Sequence, residues 1–150
     1  MAQLEFKNTT ALMEKYGAQV ILDMISNLRQ SGKSASGELE KSLKEKLIVG
    51  SDIIELDITG IDYWKYVDQG RKPGKYVPLK ALEPWALKKG IPKTALFPIS
   101  RKIYKKGIKP SGFASSAIKK NKSKFAELVE KAYAEDLRKY FSNVKNEITK

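Results

Sequence analysis

The chain has 150 residues, of which 41% are hydrophobic, and its formal net charge at pH 7 is +12. This length and this hydrophobic content fit one folded domain, here residues 1–150, and argue against a disordered chain. Cysteine and histidine are absent from the sequence, which excludes disulfides, thiolate metal sites and the usual general base of enzymes. A Mg²⁺ site built from carboxylates alone is still compatible with this composition.

The charge is unevenly distributed along the chain. Residues 1–70 hold 8 basic and 11 acidic side chains, residues 71–100 hold 7 and 1, and residues 101–150 hold 14 and 5. Such a distribution is compatible with ordinary solubility, with contact to nucleic acid, or with pairing of acidic and basic faces between copies. Residues 1–10 lack the apolar segment of a signal peptide, and no apolar run reaches the roughly 18 residues of a membrane span. We therefore expect a soluble protein without contact to a membrane.

The first predicted element is a long amphipathic helix. Apolar side chains recur at three- and four-residue steps through residues 10–31, which is the spacing of one helix face. Thr10 is expected to cap this helix and Gly32 to end it. Residues 31–38 are small and polar and predict a loop. The Gly-Lys-Ser tripeptide in that loop lacks the first glycine and the preceding strand of a nucleotide-binding loop.

A β-hairpin over about 41–59 is predicted next. Apolar and polar residues alternate over 54–59, as in a strand that buries one face. We predict the partner strand at 41–48, although the Glu and Lys residues of 40–46 also suit a helix. Residues 50–52, Gly-Ser-Asp, have the chemistry of a turn.

A short aromatic-rich helix follows. Tyr63, Tyr66 and Val67 fit one face of such a helix, and Gly70 is expected to end it. Residues 71–75, Arg-Lys-Pro-Gly-Lys, then predict a basic turn whose shape is fixed by proline and glycine.

Two further helices are predicted over 78–89 and 94–106. The first contains Pro84, which is better tolerated if the regular turns begin near Glu83. The second contains Pro98, which must lie in its first turn because proline lacks a backbone N–H.

The last predicted helix spans residues 123–146. Ser123 is its expected cap, and a broad apolar stripe runs along it through residues 125–144. Before it, residues 109–112 predict a loop that Phe113 anchors to the core. The elements together predict an α+β fold, in which a small antiparallel sheet packs with long N- and C-terminal helices and short central helices.

The centre of the chain carries an ordered set of motifs. The run from Tyr63 to Gly74 joins an aromatic-rich helix, an acidic residue, a glycine and a basic Pro-Gly turn. Related motifs stand before and after this run: Ser36–Leu43, Pro78, Trp85, Lys89–Ile91, Ile99, Arg101–Ile103, Lys106–Ile108, Phe113 and Ala117. This combination resembles the tail-completion, neck-type minor structural proteins that join head and tail in tailed bacteriophages. Val77, where that family commonly has a second proline, and Pro98 depart from the pattern.

The resemblance implies an α+β fold, assembly into a homo-oligomeric ring at the head–tail junction, and no catalysis or cofactor. It implies contacts with other neck, portal or tail proteins in the virion, after residence in the host cytoplasm during assembly. Candidates for subunit or partner contact are Tyr63, Trp64, Tyr66, Asp68, Arg71, Lys72 and Lys75. Candidates for non-specific contact with DNA phosphates are Arg101, Lys102, Lys105, Lys106, Lys119, Lys120, Lys122 and Lys124.

Two other functions are compatible with parts of the sequence. Residues 79–106 superficially resemble a helix-turn-helix DNA-binding module with a basic second helix, although Pro98 and the lack of Asn or Gln in that helix argue against base reading. A Mg²⁺-dependent nuclease could use carboxylates at alternating strand positions. Its candidate ligands are Asp52, Glu55, Asp57 and Asp62. The apolar stripe at 125–144 and the uneven charge also predict self-association or association with other virion proteins.

Overall fold

The computed structural model describes residues 1–33, 37–50 and 53–150. The helices are α1 (Lys7–Gln30), α2 (Glu38–Ser42), α3 (Trp64–Gln69), α4 (Leu79–Lys88), α5 (Leu96–Lys106) and α6 (Phe113–Ile148), with a 3₁₀ turn at Lys93–Ala95. The strands are β1 (Lys44–Val49) and β2 (Ile54–Thr59), which pair antiparallel. The predicted α+β class, with a hairpin and long terminal helices, is confirmed. Among the described residues, no helix is both long enough and apolar enough to cross a membrane.

The two long helices, α1 and α6, pack against each other in antiparallel directions and form the frame of the fold. Near one end the Asn27 side chain donates to the Phe113 carbonyl oxygen at 3.0 Å. Near the other end the Asn8 side chain donates to the Asp136 carboxylate at 2.7 Å. Met24, Leu28 and the first turns of α6 bury their apolar side chains together, and Phe113 is 1% exposed. The frame therefore holds the largest part of the hydrophobic core.

The hairpin packs on the middle of α1. A Cβ atom placed on Gly17 would come within 3.1 Å of both the Glu45 Cβ and the Leu56 Cδ1, so α1 and the hairpin are in close contact there. The register pairs Lys44 with Thr59 at the base and Val49 with Ile54 at the outer end. The base of the hairpin is thus joined directly to α2 and to the segment that leads into α3.

Several predicted boundaries are wrong. The first strand begins at Lys44 because residues 38–42 form α2, so the helical alternative holds for the start of that segment. The last helix begins at Phe113, which places the expected cap Ser123 inside it. Helix α4 begins at Leu79 and contains Pro84, so its regular turns start before Glu83.

The expected cap of α1 is also wrong, because α1 begins at Lys7 and Thr10 lies in its first turn. The Thr10 hydroxyl donates back to the Phe6 carbonyl oxygen at 2.8 Å. Pro98 does lie in the first turn of α5, as predicted. The predicted turn residues Ser51 and Asp52 lie outside the described residues, as does part of the Gly-Lys-Ser tripeptide.

Candidate functional site: the basic corner and its cleft

The segment after α3 forms a sharp corner that is locked to the end of α5. Arg71 and Ile108 form an antiparallel bridge, in which the Arg71 N–H donates to the Ile108 carbonyl at 2.9 Å and the Ile108 N–H donates to the Arg71 carbonyl at 2.8 Å. Gly70 and Gly107 both have positive φ, at 73° and 68°. A Cβ on Gly70 would lie 2.7 Å from the Pro110 nitrogen, and one on Gly107 would collide with the Arg71 carbonyl oxygen. Glycine is therefore required at both positions where these two segments of the chain cross.

The residues that follow the bridge remain attached to α5. The Gly74 N–H donates to the Tyr104 carbonyl at 2.8 Å, and the Ser100 hydroxyl donates to the Val77 carbonyl at 2.7 Å. The Tyr76 and Tyr104 rings stack with their centroids 4.2 Å apart. The turn at residues 71–77 thus lies along the last turns of α5 with a defined conformation.

This packing brings together two groups of cations that are separate in the sequence. Lys72 and Lys75 of the turn are exposed beside the end of α5, whose outward face carries four of the predicted phosphate-contact residues. We call these six side chains the basic surface: Lys72, Lys75, Arg101, Lys102, Lys105 and Lys106. The structure therefore places Lys72 and Lys75, two predicted partner-contact residues, beside four of the predicted phosphate-contact residues.

The opposite face of α5 lines an apolar cleft of about 690 Å³. Its apolar walls come from α3, α4 and α5 and include Tyr66, Val67, Leu82, Trp85, Ile99 and Ile103. Four cationic side chains and one carboxylate also line it: Lys33, Arg71, Lys88, Lys89 and Asp62. Clefts of this size and composition are typical binding sites for apolar groups.

Arg71 connects the cleft to the corner. Its guanidinium lies over the Tyr66 ring, 5.3 Å from the centroid, and one of its terminal nitrogens donates to the Tyr76 carbonyl at 3.3 Å. Its Nε is buried and has no hydrogen-bond partner within residues 1–33, 37–50 and 53–150. A buried donor without an acceptor costs free energy, so an acceptor supplied from outside the chain would be favourable there.

The aromatic candidates have different surroundings. Tyr63 lines the cleft, is partly buried against the core, and has a phenol pKa raised by that burial. Trp64 packs against the core and lies close to Gly60. Tyr66 is 47% exposed at the cleft. Tyr66 is therefore the most accessible of the three, and Trp64 contributes mainly to packing against the core.

The structure places Asp68 inside the fold, so it does not belong with the surface residues. Asp68 is 3% exposed, and one carboxylate oxygen accepts from the N–H groups of Ala114 at 2.8 Å and Ser115 at 3.0 Å. The Ser115 hydroxyl donates to the other oxygen. These partners are the unpaired donors of the first turn of α6, so Asp68 caps that helix and anchors α3 to it.

A second carboxylate of the same kind is absent from the sequence-based candidates. Asp136 of α6 is 2% exposed and accepts from the backbone N–H groups of Asn8 at 3.0 Å and Thr9 at 2.9 Å, and from both of their side chains. Burial by itself would raise the pKa of Asp136, but these hydrogen bonds outweigh burial and hold that pKa below its usual value. Asp136 therefore caps α1 from the other end of the frame.

The lysines of the 119–124 run lie on α6 and are all exposed. Lys120 pairs with Asp23 of α1 at 3.5 Å, so part of its charge is compensated within the frame. The run lies within the first third of α6. The structure thus divides the predicted phosphate-contact residues between α5 and α6.

The carboxylates considered for a metal site do not converge in the described part of the chain. Glu55 and Asp57 lie on β2, where Glu55 is exposed and pairs with Ile48 across the hairpin. Asp62 lines the cleft. Asp52 lies outside the described residues. Within residues 1–33, 37–50 and 53–150, no three His, Cys, Asp or Glu side chains are arranged to hold a metal ion.

Comparison of the chain with protein-family models, with curated proteins and with solved structures finds no match. The corner, the cleft and the basic surface are therefore the features of the chain from which a function can be inferred.

Proposed function

We propose that this chain is a non-catalytic structural protein of a tailed bacteriophage virion, in the neck or tail-completion ring that joins head and tail. The observation that carries the proposal is the corner at residues 63–74. The motif with which the sequence resembles neck-type proteins coincides with the segment that Gly70 and Gly107 lock into one conformation. A rigid corner that presents Tyr66, Lys72 and Lys75 suits docking between proteins, because little conformational freedom is lost on binding.

The distribution of charge supports a place in a ring around DNA. A ring of identical subunits needs two different complementary faces on each copy, and an acidic first half with a basic second half can supply them. The basic surface presents six exposed cations on α5 and its adjoining turn. Such a surface contacts phosphates without reading sequence, which suits a channel through which any DNA sequence passes.

The composition of purified particles tests this proposal. We expect the chain to remain at a fixed ratio to the major structural proteins in DNA-filled particles after nuclease treatment and a high-salt wash. The wash is needed because a protein of net charge +12 can adsorb to free DNA. Particles to which the purified chain has been added from outside give the matched control, because adsorbed protein is removed by the same wash. Absence of the chain from washed particles would contradict the proposal.

The alternative function is a DNA-binding module over residues 79–106. It is favoured by the packing of α4 against α5 through a short connection, with a basic face of α5 exposed. Against it, α5 has no Asn or Gln, and its Ile99 and Ile103 line the cleft. Specific regulators bind their sites with dissociation constants of roughly 10⁻⁸ M or below at physiological salt. Sequence-selective binding of that strength would favour the alternative, whereas weak binding that is equal for all sequences fits the neck protein.

A further inference from the structure

The outer end of the hairpin exposes a group of aliphatic side chains. Ile48, Val49 and Ile53 are 38%, 57% and 62% exposed. Glu55 is exposed beside them and pairs with Ile48 across the strands. Both strands of this two-stranded sheet also have an edge without a strand partner in the described part of the chain. An apolar, acidic hairpin end of this kind is a surface that proteins normally cover. We call these four residues the hairpin end.

The cleft has the complementary properties. Its walls are apolar and its volume is about 690 Å³. Four cationic side chains and one carboxylate line it; Lys88 already pairs with Glu38 at 2.6 Å, which leaves Lys33, Arg71 and Lys89 against Asp62. The buried Arg71 Nε is a donor without an acceptor in the described part of the chain. The cleft therefore offers apolar contact and a positive potential to a group that is apolar and carries a carboxylate.

We propose that the hairpin end of one copy inserts into the cleft of the next copy. Ile48, Val49 and Ile53 would cover the apolar walls, and Glu55 would lie toward the cationic side chains that line the cleft. This inference rests on the proposed function, since it names the contact that builds the ring.

The hairpin end cannot reach the cleft of its own chain. The hairpin leaves the cleft region at its base, the Lys44–Thr59 pair, and its outer end lies five residues further along the strands. At roughly 3.3 Å per residue this separation is about 17 Å. The contact between Gly17 and Leu56 holds the hairpin along α1, so it cannot fold back on its base. The occupant must come from another molecule.

The contact is heterologous because the hairpin end and the cleft are different surfaces of one chain. Each copy that offers its hairpin end still has an empty cleft, and each filled cleft leaves a hairpin end for the next copy. Repetition of such a contact closes into a ring when the rotation between copies allows it. The hairpin–cleft contact would be only part of the interface, since stable interfaces bury about 1,200–2,000 Å² in total.

Single cysteines test the contact directly, because the natural chain contains no cysteine. Ile53→Cys places a thiol on the hairpin end, and Ala81→Cys places one at an exposed position that lines the cleft. Ala126→Cys, at an exposed alanine of α6, is the matched control. The variants are mixed in pairs and treated with a short bis-maleimide, at protein concentrations up to about 1 mM, where even a millimolar contact is populated.

We expect the Ile53→Cys and Ala81→Cys mixture to give a covalent dimer at least tenfold more abundant than the Ile53→Cys and Ala126→Cys mixture. A chain with both Ile53→Cys and Ala81→Cys should give a ladder of higher oligomers. Equal yields from the two mixtures would overturn the proposal. So would a predominant dimer of Ile53→Cys with itself, because that product requires a symmetric contact between two hairpin ends.

A second measurement uses substitutions at exposed positions that leave the fold intact. Ile53→Asp should weaken self-association measured by sedimentation by at least tenfold, whereas Leu22→Asp, at a comparably exposed residue of α1, should leave it unchanged. Both variants are checked for unchanged thermal unfolding. Equal association of the two variants would overturn the hairpin–cleft contact. The neck function is judged separately by the washed particles, so a protein that is present in virions but fails the cysteine test refutes only the contact.

Discussion

The frame of α1 and α6 and the central segment of residues 60–109 use their side chains in opposite ways. Each long helix of the frame begins at an almost completely buried carboxylate, Asp136 of α6 for α1 and Asp68 of α3 for α6, which accepts hydrogen bonds from its first turn. In the central segment, the basic surface and several apolar groups face solvent. Residues 69–126 contain 16 basic side chains and a single acidic one, Glu83, which pairs with Lys93 at 3.9 Å.

This difference indicates that the buried carboxylates contribute mainly to stability, whereas the exposed cations contribute mainly to contact with partners. A buried carboxylate at a helix N-terminus accepts hydrogen bonds from unpaired N–H groups and interacts favourably with the helix dipole. It therefore contributes to the stability of the folded chain. An exposed cation with few acidic neighbours adds little to stability and serves mainly to attract an anionic partner. Variants of the frame should therefore change unfolding, and variants of the basic surface should change binding.

The largest expected effect lies where the corner is locked to α5. Gly107→Ala should lower the free energy of unfolding by at least about 4 kcal/mol, because the new Cβ meets the backbone at Arg71 and Pro73 and breaks the Arg71–Ile108 bridge. Gly32→Ala is the matched control, since Gly32 also has positive φ, 69°, but open space around it. There the free energy of unfolding should fall by only about 1–2 kcal/mol, the cost of a side chain in the left-handed conformation. Similar urea midpoints for the two variants would show that the crossing is not tight.

The next effect lies in the frame. Asp136→Ala should lower the free energy of unfolding by about 3 kcal/mol, because it leaves the N–H groups of Asn8 and Thr9 without their acceptor in a buried place. Glu135→Ala is the control, since this neighbouring carboxylate is exposed and pairs only with Lys139 at 3.5 Å. Urea denaturation measures both. An Asp136 variant as stable as the Glu135 variant would refute the capping role.

The same carboxylate predicts a pH dependence. The folded pKa of Asp136 lies below its unfolded value of about 3.9, because hydrogen bonds from Thr9 and Asn8 outweigh the effect of burial. Its contribution to stability is therefore fully present above the unfolded pKa and is lost as the pH falls through the folded pKa. The stability difference between the natural chain and Asp136→Asn should be constant near neutral pH and should shrink below about pH 4. A difference that grows in acid would contradict this sign.

These carboxylates also explain which parts of the fold the sequence could predict. The long terminal helices and strand β2 follow from local periodicity, because their apolar residues repeat at the spacing of one face. The helix starts did not follow, because their caps are remote in sequence. Asp136 lies 127 residues from Thr9, and Asp68 lies 46 residues from Ala114. The local sequence therefore predicts caps at Thr10 and Ser123, which have the right chemistry in the wrong place.

The candidate site was predictable in part for the same reason. The basic turn at 71–75 and the glycines at 70 and 107 are visible in the sequence. Their pairing depends on a bridge between Arg71 and Ile108, which local patterns do not encode. The cleft likewise depends on which faces of α3, α4 and α5 converge, so its lining could not be listed beforehand. The local pattern does not show that Asp68 is buried, because its hydrogen-bond donors begin 46 residues later.

A smaller effect is expected from the aromatic stack that holds the turn on α5. Tyr76→Leu should lower the free energy of unfolding by about 1 kcal/mol, because it removes the stacked pair with Tyr104 while keeping an apolar side chain. Tyr76→Phe, which keeps the stacked ring, should be nearly neutral. Thermal unfolding distinguishes the two. Equal loss in both variants would assign the effect to the hydroxyl instead of the stack.

The smallest effect on stability, and a measurable effect on binding, is expected from the basic surface. Replacing both Lys105 and Lys106 by Ala should change the free energy of unfolding by less than about 0.5 kcal/mol, because both side chains are exposed and neither forms an ion pair with a described residue. Each lost phosphate contact should reduce the slope of log K against log salt concentration by roughly 0.9 for duplex DNA. The double variant of Lys131 and Lys139 removes the same charge from α6, where both lysines already pair with glutamates. If the two double variants reduce the slope equally, DNA attraction follows net charge alone; a larger loss at Lys105 and Lys106 assigns it to the surface that the corner and α5 build together.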